Sequence, residues 1–113
     1  MKCLNNIISK LTGELRHDYI VKQVSKKLKE QGNYSFVNTH IEYYDAKSKC
    51  VLGEVDILAY DERFNVLHFY EVKGRFSKSN FKKAKTQFKR FQEYNPNKVI
   101  GVYVSPQKVK RLR

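Results

Sequence analysis

The chain has 113 residues, of which 41% are hydrophobic and 30% are charged. This length and balance predict a single domain, residues 1–113, with a core of modest size. No apolar run reaches membrane-spanning length and no signal-peptide core is present, so we expect a cytoplasmic protein without a membrane partner, of cellular, viral or mobile-element origin. Cys3 and Cys50 lack disulfide-framework or zinc-ligand spacing.

The net charge of +12 is confined to the second part of the sequence. Residues 1–72 hold ten Lys or Arg and ten Asp or Glu, whereas residues 73–113 hold thirteen basic residues and one acid, Glu93. Such one-sided charge suits a phosphate-rich partner, so a nucleic acid is the expected partner, and the charge alone does not separate DNA from RNA. The alternative is a Lys-rich surface that serves only solubility.

The first predicted element is a helix of about twenty residues, with Thr12 as its N-cap and Gly32 as its C-terminal stop. Val21 and Leu28 mark its buried stripe, and at 100° per residue Glu14 falls on the same side. An acid that faces a core needs a partner, such as a metal ion or a lysine. The alternative is a first-turn acid that only complements the helix dipole.

Three strand-like runs follow, at residues 36–44, 51–60 and 65–73, and a turn joins the last two. A second helix is predicted over residues 78–94. Its apolar face consists of Phe81, Ala84, Phe88 and Phe91. The continuously apolar run at residues 99–104 predicts a strand that is buried on both faces. A basic tail then occupies residues 106 to 113, where it extends a phosphate track or stays disordered.

This order of elements predicts an α/β domain with a central mixed four-stranded sheet flanked by helices (α-β-β-β-α-β). Three strands form an antiparallel meander, and the second helix leads to the fourth strand. If that strand pairs in parallel with the third, the crossover should be right-handed.

The second and third strands carry the chemistry. Symmetric pairing about positions 63 and 64 sets Asp56 opposite Glu71, and Glu54 opposite Lys73. Strict alternation leaves both strand faces otherwise apolar, so these acids do not lie along an ordinary solvated face. Two facing, partly buried carboxylates repel each other, and a divalent cation would remove that repulsion.

Asp56 and Glu71 are therefore the predicted Mg²⁺ ligands, since this ion takes one or two carboxylates plus waters and phosphate. The carbonyl of Val72 is a candidate third ligand. Lys73 lies on the same face as Glu71 and is predicted to orient or help deprotonate a metal-bound water. The alternative is that Lys73 only neutralises Glu54 or Glu71.

Gly-Glu-Val-Asp at residues 53–56, Glu-Val-Lys at residues 71–73 and a preceding helix with Glu14 resemble the PD-(D/E)XK nuclease superfamily. The resemblance covers roughly residues 12–104. It implies a restriction-endonuclease-like core and hydrolysis of phosphodiester bonds. It also implies Mg²⁺ or Mn²⁺ as cofactor, with no organic cofactor. Val55 stands where the superfamily's name has proline.

The resemblance assigns metal binding to Asp56 and Glu71, assistance of the attacking water to Lys73, and the helix acid of many members to Glu14. RecB-type nuclease domains add a glutamine that matches Gln87; the alternative is a plain surface glutamine. Archaeal Holliday-junction resolvases are similar in size and basic character. His17 lies near the buried stripe of the first helix. It either contacts phosphate or is a histidine at the edge of the core whose hydrogen bonds are satisfied within the protein.

The second helix and the segment before it supply the predicted nucleic-acid contacts: Arg75, Lys78, Lys82, Lys83, Lys85, Lys89 and Arg90. Such contacts give affinity with little sequence information. We therefore expect a Mg²⁺-dependent DNA endonuclease or exonuclease that is directed by structure or ends. A catalytically inactive nucleic-acid-binding protein of the same fold and a Holliday-junction resolvase are the alternatives. A homodimer is expected, because paired cuts need two sites.

Overall fold

The computed structural model describes the backbone of residues 2–113 and the side chains of residues 16–113. Its elements in chain order are α1 (Lys2–Gln31), β1 (Phe36–Tyr44), β2 (Val51–Asp61), β3 (Val66–Val72), α2 (Lys78–Glu93), β4 (Lys98–Val104) and β5 (Val109–Leu112). Within this described part, no helix combines the length and apolar character needed to cross a membrane. The predicted boundaries of the second helix and of the first four strands agree with these to within one residue.

The five strands form one mixed sheet in the order β1-β2-β3-β4-β5. The β3–β4 pair is parallel and the other three pairs are antiparallel. The α/β class and the meander are confirmed, but the predicted four-stranded sheet is wrong. The supposed tail forms β5, because Leu112 is only 1% exposed and pairs with Gly101 of β4. One buried leucine among basic residues was too weak a pattern to predict a strand.

Helix α1 is longer than predicted. It begins at Lys2, so Thr12 is not its N-cap. The ten residues before Thr12 contain no Gly or Pro that would stop the helix, and a Thr can cap a helix only where the chain turns. The predicted C-terminal stop is confirmed: Gly32 has φ 70°, and its N–H donates to the Lys29 carbonyl.

Each helix covers one face of the sheet. On one face, Val21 and Leu28 of α1 pack with Ile57, Tyr70 and Val72. The other face holds the second cluster, whose members from α2 and the sheet include Ala84, Phe88, Phe91, Phe69, Tyr103 and Leu112. The sheet is therefore buried between two helices, which is why its central strands are almost continuously apolar.

Gly101 permits the close approach of α2 to the sheet. A Cβ at this position would lie 2.6 Å from the Phe88 ring, which is 4% exposed and packed in the α2 cluster. We expect Gly101→Ala to lower the free energy of unfolding by about 1–3 kcal/mol through overpacking. Urea titration followed by circular dichroism measures the change. The matched control is Gly74→Ala, whose Cβ would meet only the Arg16 side chain at 3.5 Å. An equal loss in both variants would contradict the packing explanation.

Candidate metal centre and basic surface

A break in strand alternation positions Asp56. Val37 packs in the α1 cluster, yet Ile41, four residues along β1, packs in the α2 cluster. Regular alternation would keep them on one face. Val55 and Ile57 of β2 diverge in the same way, so the strict alternation predicted for this strand is wrong at Asp56.

The break lies between the pairs Thr39↔Ile57 and Ile41↔Val55, where His40 and Asp56 do not pair with each other. His40 has φ 53°, a left-handed conformation that turns the β1 backbone. At this point the side chains of both strands switch from one face of the sheet to the other. The Asp56 carboxylate therefore reaches α1 instead of lying on the same face as Leu58.

The predicted register between β2 and β3 is confirmed over the paired segment, from Asp61↔Val66 to Ile57↔Tyr70. The ladder ends there, one step before Asp56 and Glu71. Beyond it, Asp56 Oδ2 accepts a hydrogen bond from the Val72 N–H at 2.8 Å. A side chain from β2 therefore satisfies the backbone of β3 where the two strands separate.

The predicted pairing of Glu54 with Lys73 is wrong. In β2 only the segment from Ile57 to Asp61 pairs with β3. Glu54 lies before this segment and pairs with Glu42 of β1. The Glu54 carboxylate lies 3.2 Å from His40 Nδ1 and is exposed. Glu54 is thus separate from the buried acids.

Asp56 is 8% exposed and remains charged because of its partners. Burial by itself would raise its pKa, but hydrogen bonds from His17 and from the Val72 N–H lower the pKa below its usual value. His17 Nε2 lies 3.3 Å from Asp56 Oδ2, and this bond raises the pKa of His17. His17 is thus a satisfied histidine at the core edge, the second of its two predicted roles.

Glu71 is the least satisfied acid of this group. It is 4% exposed, and its Oε2 has no hydrogen-bond partner. Burial and the neighbouring charge of Asp56 raise the pKa of Glu71 to about 8, against a weaker opposing effect of Lys73. Lys73 Nζ lies 3.6 Å from Glu71 Oε1. Lys73 therefore contacts one oxygen of Glu71, whereas the second oxygen, Oε2, has no hydrogen-bond partner.

The donor chemistry of this pair fits a hard divalent cation. Mg²⁺ is commonly held by one or two carboxylates plus water and phosphate, and an ion here would satisfy Glu71 Oε2 and offset the repulsion from Asp56. Among residues 16–113, no group of three or more His, Cys, Asp or Glu side chains is arranged to hold a metal. The predicted third acid, Glu14, lies outside the described side chains. Asp56 and Glu71 are hence the two described candidates.

Gln87 lies on α2 and is half-buried, not a plain surface glutamine. Its Oε1 has no hydrogen-bond partner. One helical turn further on, Arg90 donates from Nη1 to the Leu52 carbonyl at 3.1 Å, so this side of α2 faces β2. Gly53 is needed in the same region, because a Cβ there would lie 2.8 Å from the Tyr43 hydroxyl.

The predicted basic residues of α2 do not form one surface. Two cavities run along the helix, and both are lined by Lys82 and Thr86, which we call the crest. The metal-side flank consists of Ser79, Lys83, Gln87 and Arg90. The β5-side flank consists of Phe81, Lys85 and Lys89. Arg75 and Lys78 are exposed just before and at the start of the helix.

Strand β5 adds cations to the second flank. Lys110 Nζ lies 4.6 Å from the centre of the Phe81 ring, and Lys108 Nζ lies 4.7 Å from the Phe76 ring. Arg111 points the other way, since it pairs with Val102, whose side chain packs against the α1 cluster. The predicted basic tail is thus ordered, and alternation divides its charges between the two faces of the sheet.

Two residues that sequence reasoning did not single out hold the segment after Lys73. The Tyr103 hydroxyl donates to the Arg75 carbonyl at 3.0 Å, and the Phe76 N–H donates to Gln107 Oε1 at 3.1 Å. Both partners come from β4 and the turn that follows it. No local pattern identifies them, because the contacts join positions about thirty residues apart.

The structure thus gathers Asp56, Glu71 and Lys73 beside Val72 and places His17 on Asp56, while the cations of α2 divide between two flanks. Comparison of the chain with protein-family models, with curated proteins and with solved structures finds no match.

Proposed function

We propose that this chain is a metal-dependent nuclease with a restriction-endonuclease-like core, which hydrolyses phosphodiester bonds in DNA and is directed by structure or ends. The observation that carries the proposal is the buried Asp56–Glu71 pair beside Lys73, in which one Glu71 oxygen has no partner. A buried acid with a raised pKa, close to a second acid and a lysine, is typical of a functional site.

In this proposal Asp56 and Glu71 hold Mg²⁺, with Mn²⁺ as a substitute. Glu14 and the Val72 carbonyl are candidates to complete the set. The bound ion would lower the pKa of a water and polarise the phosphate. The Val72 N–H and His17 keep Asp56 ionised and oriented, as outer partners of metal ligands do. Gln87 supplies a further polar group from α2.

Lys73 is the group proposed to orient the attacking water and to offset charge that develops on the phosphate. Its ammonium is partly exposed and lies beside Glu71, so it can reach both the metal site and a bound phosphate. We expect Lys73→Met to lower kcat for DNA cleavage by about 10²-fold, with a much smaller change in the Mg²⁺ concentration that gives half-maximal rate. Single-turnover cleavage across a Mg²⁺ titration measures both quantities.

The matched control is Lys98→Met, at the opposite end of the parallel β3–β4 pair, where Lys98 lies beside Val66. If Lys73→Met cleaves as fast as Lys98→Met, Lys73 has no role in the reaction.

The activity itself is tested with purified protein, Mg²⁺ or Mn²⁺, and linear duplex, circular duplex, single-stranded and four-way-junction DNA. We expect cleavage of at least one substrate, and the pattern separates endonuclease, exonuclease and junction-resolving activity. No cleavage of any of them would refute the enzyme and favour the inactive DNA-binding alternative. Light scattering on the same sample tests the proposed homodimer, whose two sites would make paired cuts.

A further inference from the structure

The cations of α2 and β5 lie on both sides of the exposed crest of the helix. Lys83 and Arg90 belong to the metal-side flank, and Lys85 and Lys89 belong to the β5-side flank. Lys110 reaches the second flank from β5. Because Arg90 contacts β2 while Phe81 packs against Tyr103 of β4, the two flanks face opposite edges of the sheet.

The charge on the β5-side flank has no acidic partner among the side chains of residues 16–113. In the part of the chain with described side chains, none of the salt bridges involves a cation of α2 or β5. Lys85 and Lys110 instead share the ring of Phe81, at 5.7 and 4.6 Å from its centre. Two ammonium groups on one ring repel each other, and a bound phosphate between them would remove that repulsion.

The metal-side flank is the side of α2 that we assign to the proposed metal centre. Arg90 of this flank donates to the Leu52 carbonyl of β2, the strand that also carries Asp56. The β5-side flank, with Lys85, Lys89 and Lys110, lies on the other side of the crest of α2. A single backbone that runs along the metal-side flank therefore leaves the cations of the β5-side flank unpaired.

We propose that the nuclease inferred above binds double-stranded DNA with α2 in the major groove, one strand along the metal-side flank and the other along the β5-side flank with Lys110. This inference rests on the proposed function and names its substrate class. A helix with side chains is about 10–12 Å across, and the major groove of B-DNA is about 12 Å wide with phosphates along both edges. Cations on both sides of a helix match that arrangement.

The same geometry disfavours the other nucleic acids. The major groove of A-form RNA is deep and narrow, so a helix of this size does not enter it. A single strand would use one flank and leave the other unpaired. Single-strand binding also relies on open aromatic faces for stacking, whereas lysine ammonium groups cover the rings of Phe76 and Phe81. The duplex strand on the metal-side flank is the one to be cut.

The test measures binding without cleavage. Fluorescence anisotropy in EDTA compares a duplex DNA of about two helical turns with one of its single strands and with an RNA duplex of the same sequence. We expect the DNA duplex to bind at least about tenfold more tightly than either. The double variant Lys85→Gln/Lys110→Gln should reduce the slope of log affinity against log salt by about 2, since each lost phosphate contact removes about one unit.

The matched control is Lys26→Gln/Arg111→Gln, which removes the same charge from the face of the sheet that α1 covers. We expect it to leave the salt slope nearly unchanged. Equal losses in the two double variants, or binding of single-stranded DNA or duplex RNA as tight as that of duplex DNA, would overturn the proposed docking. Because EDTA removes the cleavage reaction, this result is independent of the nuclease assay, and each proposal can fail without the other.

Discussion

Replacing Asp56 by Asn is expected to lower the rate of Mg²⁺-dependent DNA cleavage by about a thousandfold, the magnitude seen when one electrostatic group of an active site is removed. The substitution removes the charge that would bind the metal but keeps an oxygen that can accept the Val72 N–H bond. The backbone of β3 should therefore stay in place while the metal affinity falls. Single-turnover cleavage with saturating enzyme, across a Mg²⁺ titration, measures the effect.

The matched control is Asp61→Asn, at the far end of the same strand. Asp61 is also buried, but it pairs with Arg63 and is remote from Glu71. This variant should cleave within a few-fold of the wild-type rate after any difference in folded fraction is taken into account. If the two variants lose activity equally, a general loss of strand β2 would explain the result and Asp56 would not be a metal ligand.

The second large effect is a loss of stability as the pH rises and Glu71 loses its proton. Burial and Asp56 raise the pKa of Glu71 from 4.5 to about 8, so the folded protein holds this proton to a higher pH than the unfolded chain does. The unfolding free energy should therefore be highest below pH 4.5 as far as Glu71 is concerned, and should fall as the pH rises towards 8. A shift of this size corresponds to a loss of about 5 kcal/mol, or on the order of 20 °C in Tm.

The isosteric variant Glu71→Gln isolates this effect, because glutamine carries no titrating proton. Without metal at pH 8.5, the variant should melt above the wild type, and the two should converge near pH 5. His17 has a raised pKa and also loses its stabilising bond to Asp56 as the pH rises, so the difference between the two proteins, not either curve alone, measures Glu71. Calorimetry between pH 5 and 8.5 gives that difference.

The metal response of the same two proteins separates a ligand from a merely buried acid. Mg²⁺ at a hundred times its Kd should stabilise the wild type by about 2.7 kcal/mol at pH 8, and Glu71→Gln by much less. The affinity of the wild type should rise with pH as Glu71 loses its proton. An equal Mg²⁺ response in both proteins, or none in the wild type, would contradict metal binding at Glu71.

Several features of the fold could be predicted because they depend on local patterns. The end of α1 at Gly32 follows from the left-handed conformation that glycine favours, and the β2–β3 register follows from a symmetric turn. The start of α1 could not be predicted, since a residue such as Thr12 caps a helix only if the chain turns there. Strand β5 was missed because its sequence shows one buried apolar residue, Leu112, among basic residues, whereas the strand is held by its pairing with β4.

For the candidate site, the sequence by itself determined which side chains are available: two acids and a lysine on adjacent strands, and an excess of cations after residue 72. Only the tertiary structure decided how they are grouped. The break in strand alternation lets Asp56 reach His17, the end of the β2–β3 pairing at Ile57 separates Glu54 from Lys73, and Glu71 is buried with one unpartnered oxygen. Packing of α2 between β2 and β5 divides its cations into two flanks. Spacing along a strand sets the local direction of a side chain, but its protonation and its partners depend on burial and on contacts between residues that are distant in the sequence.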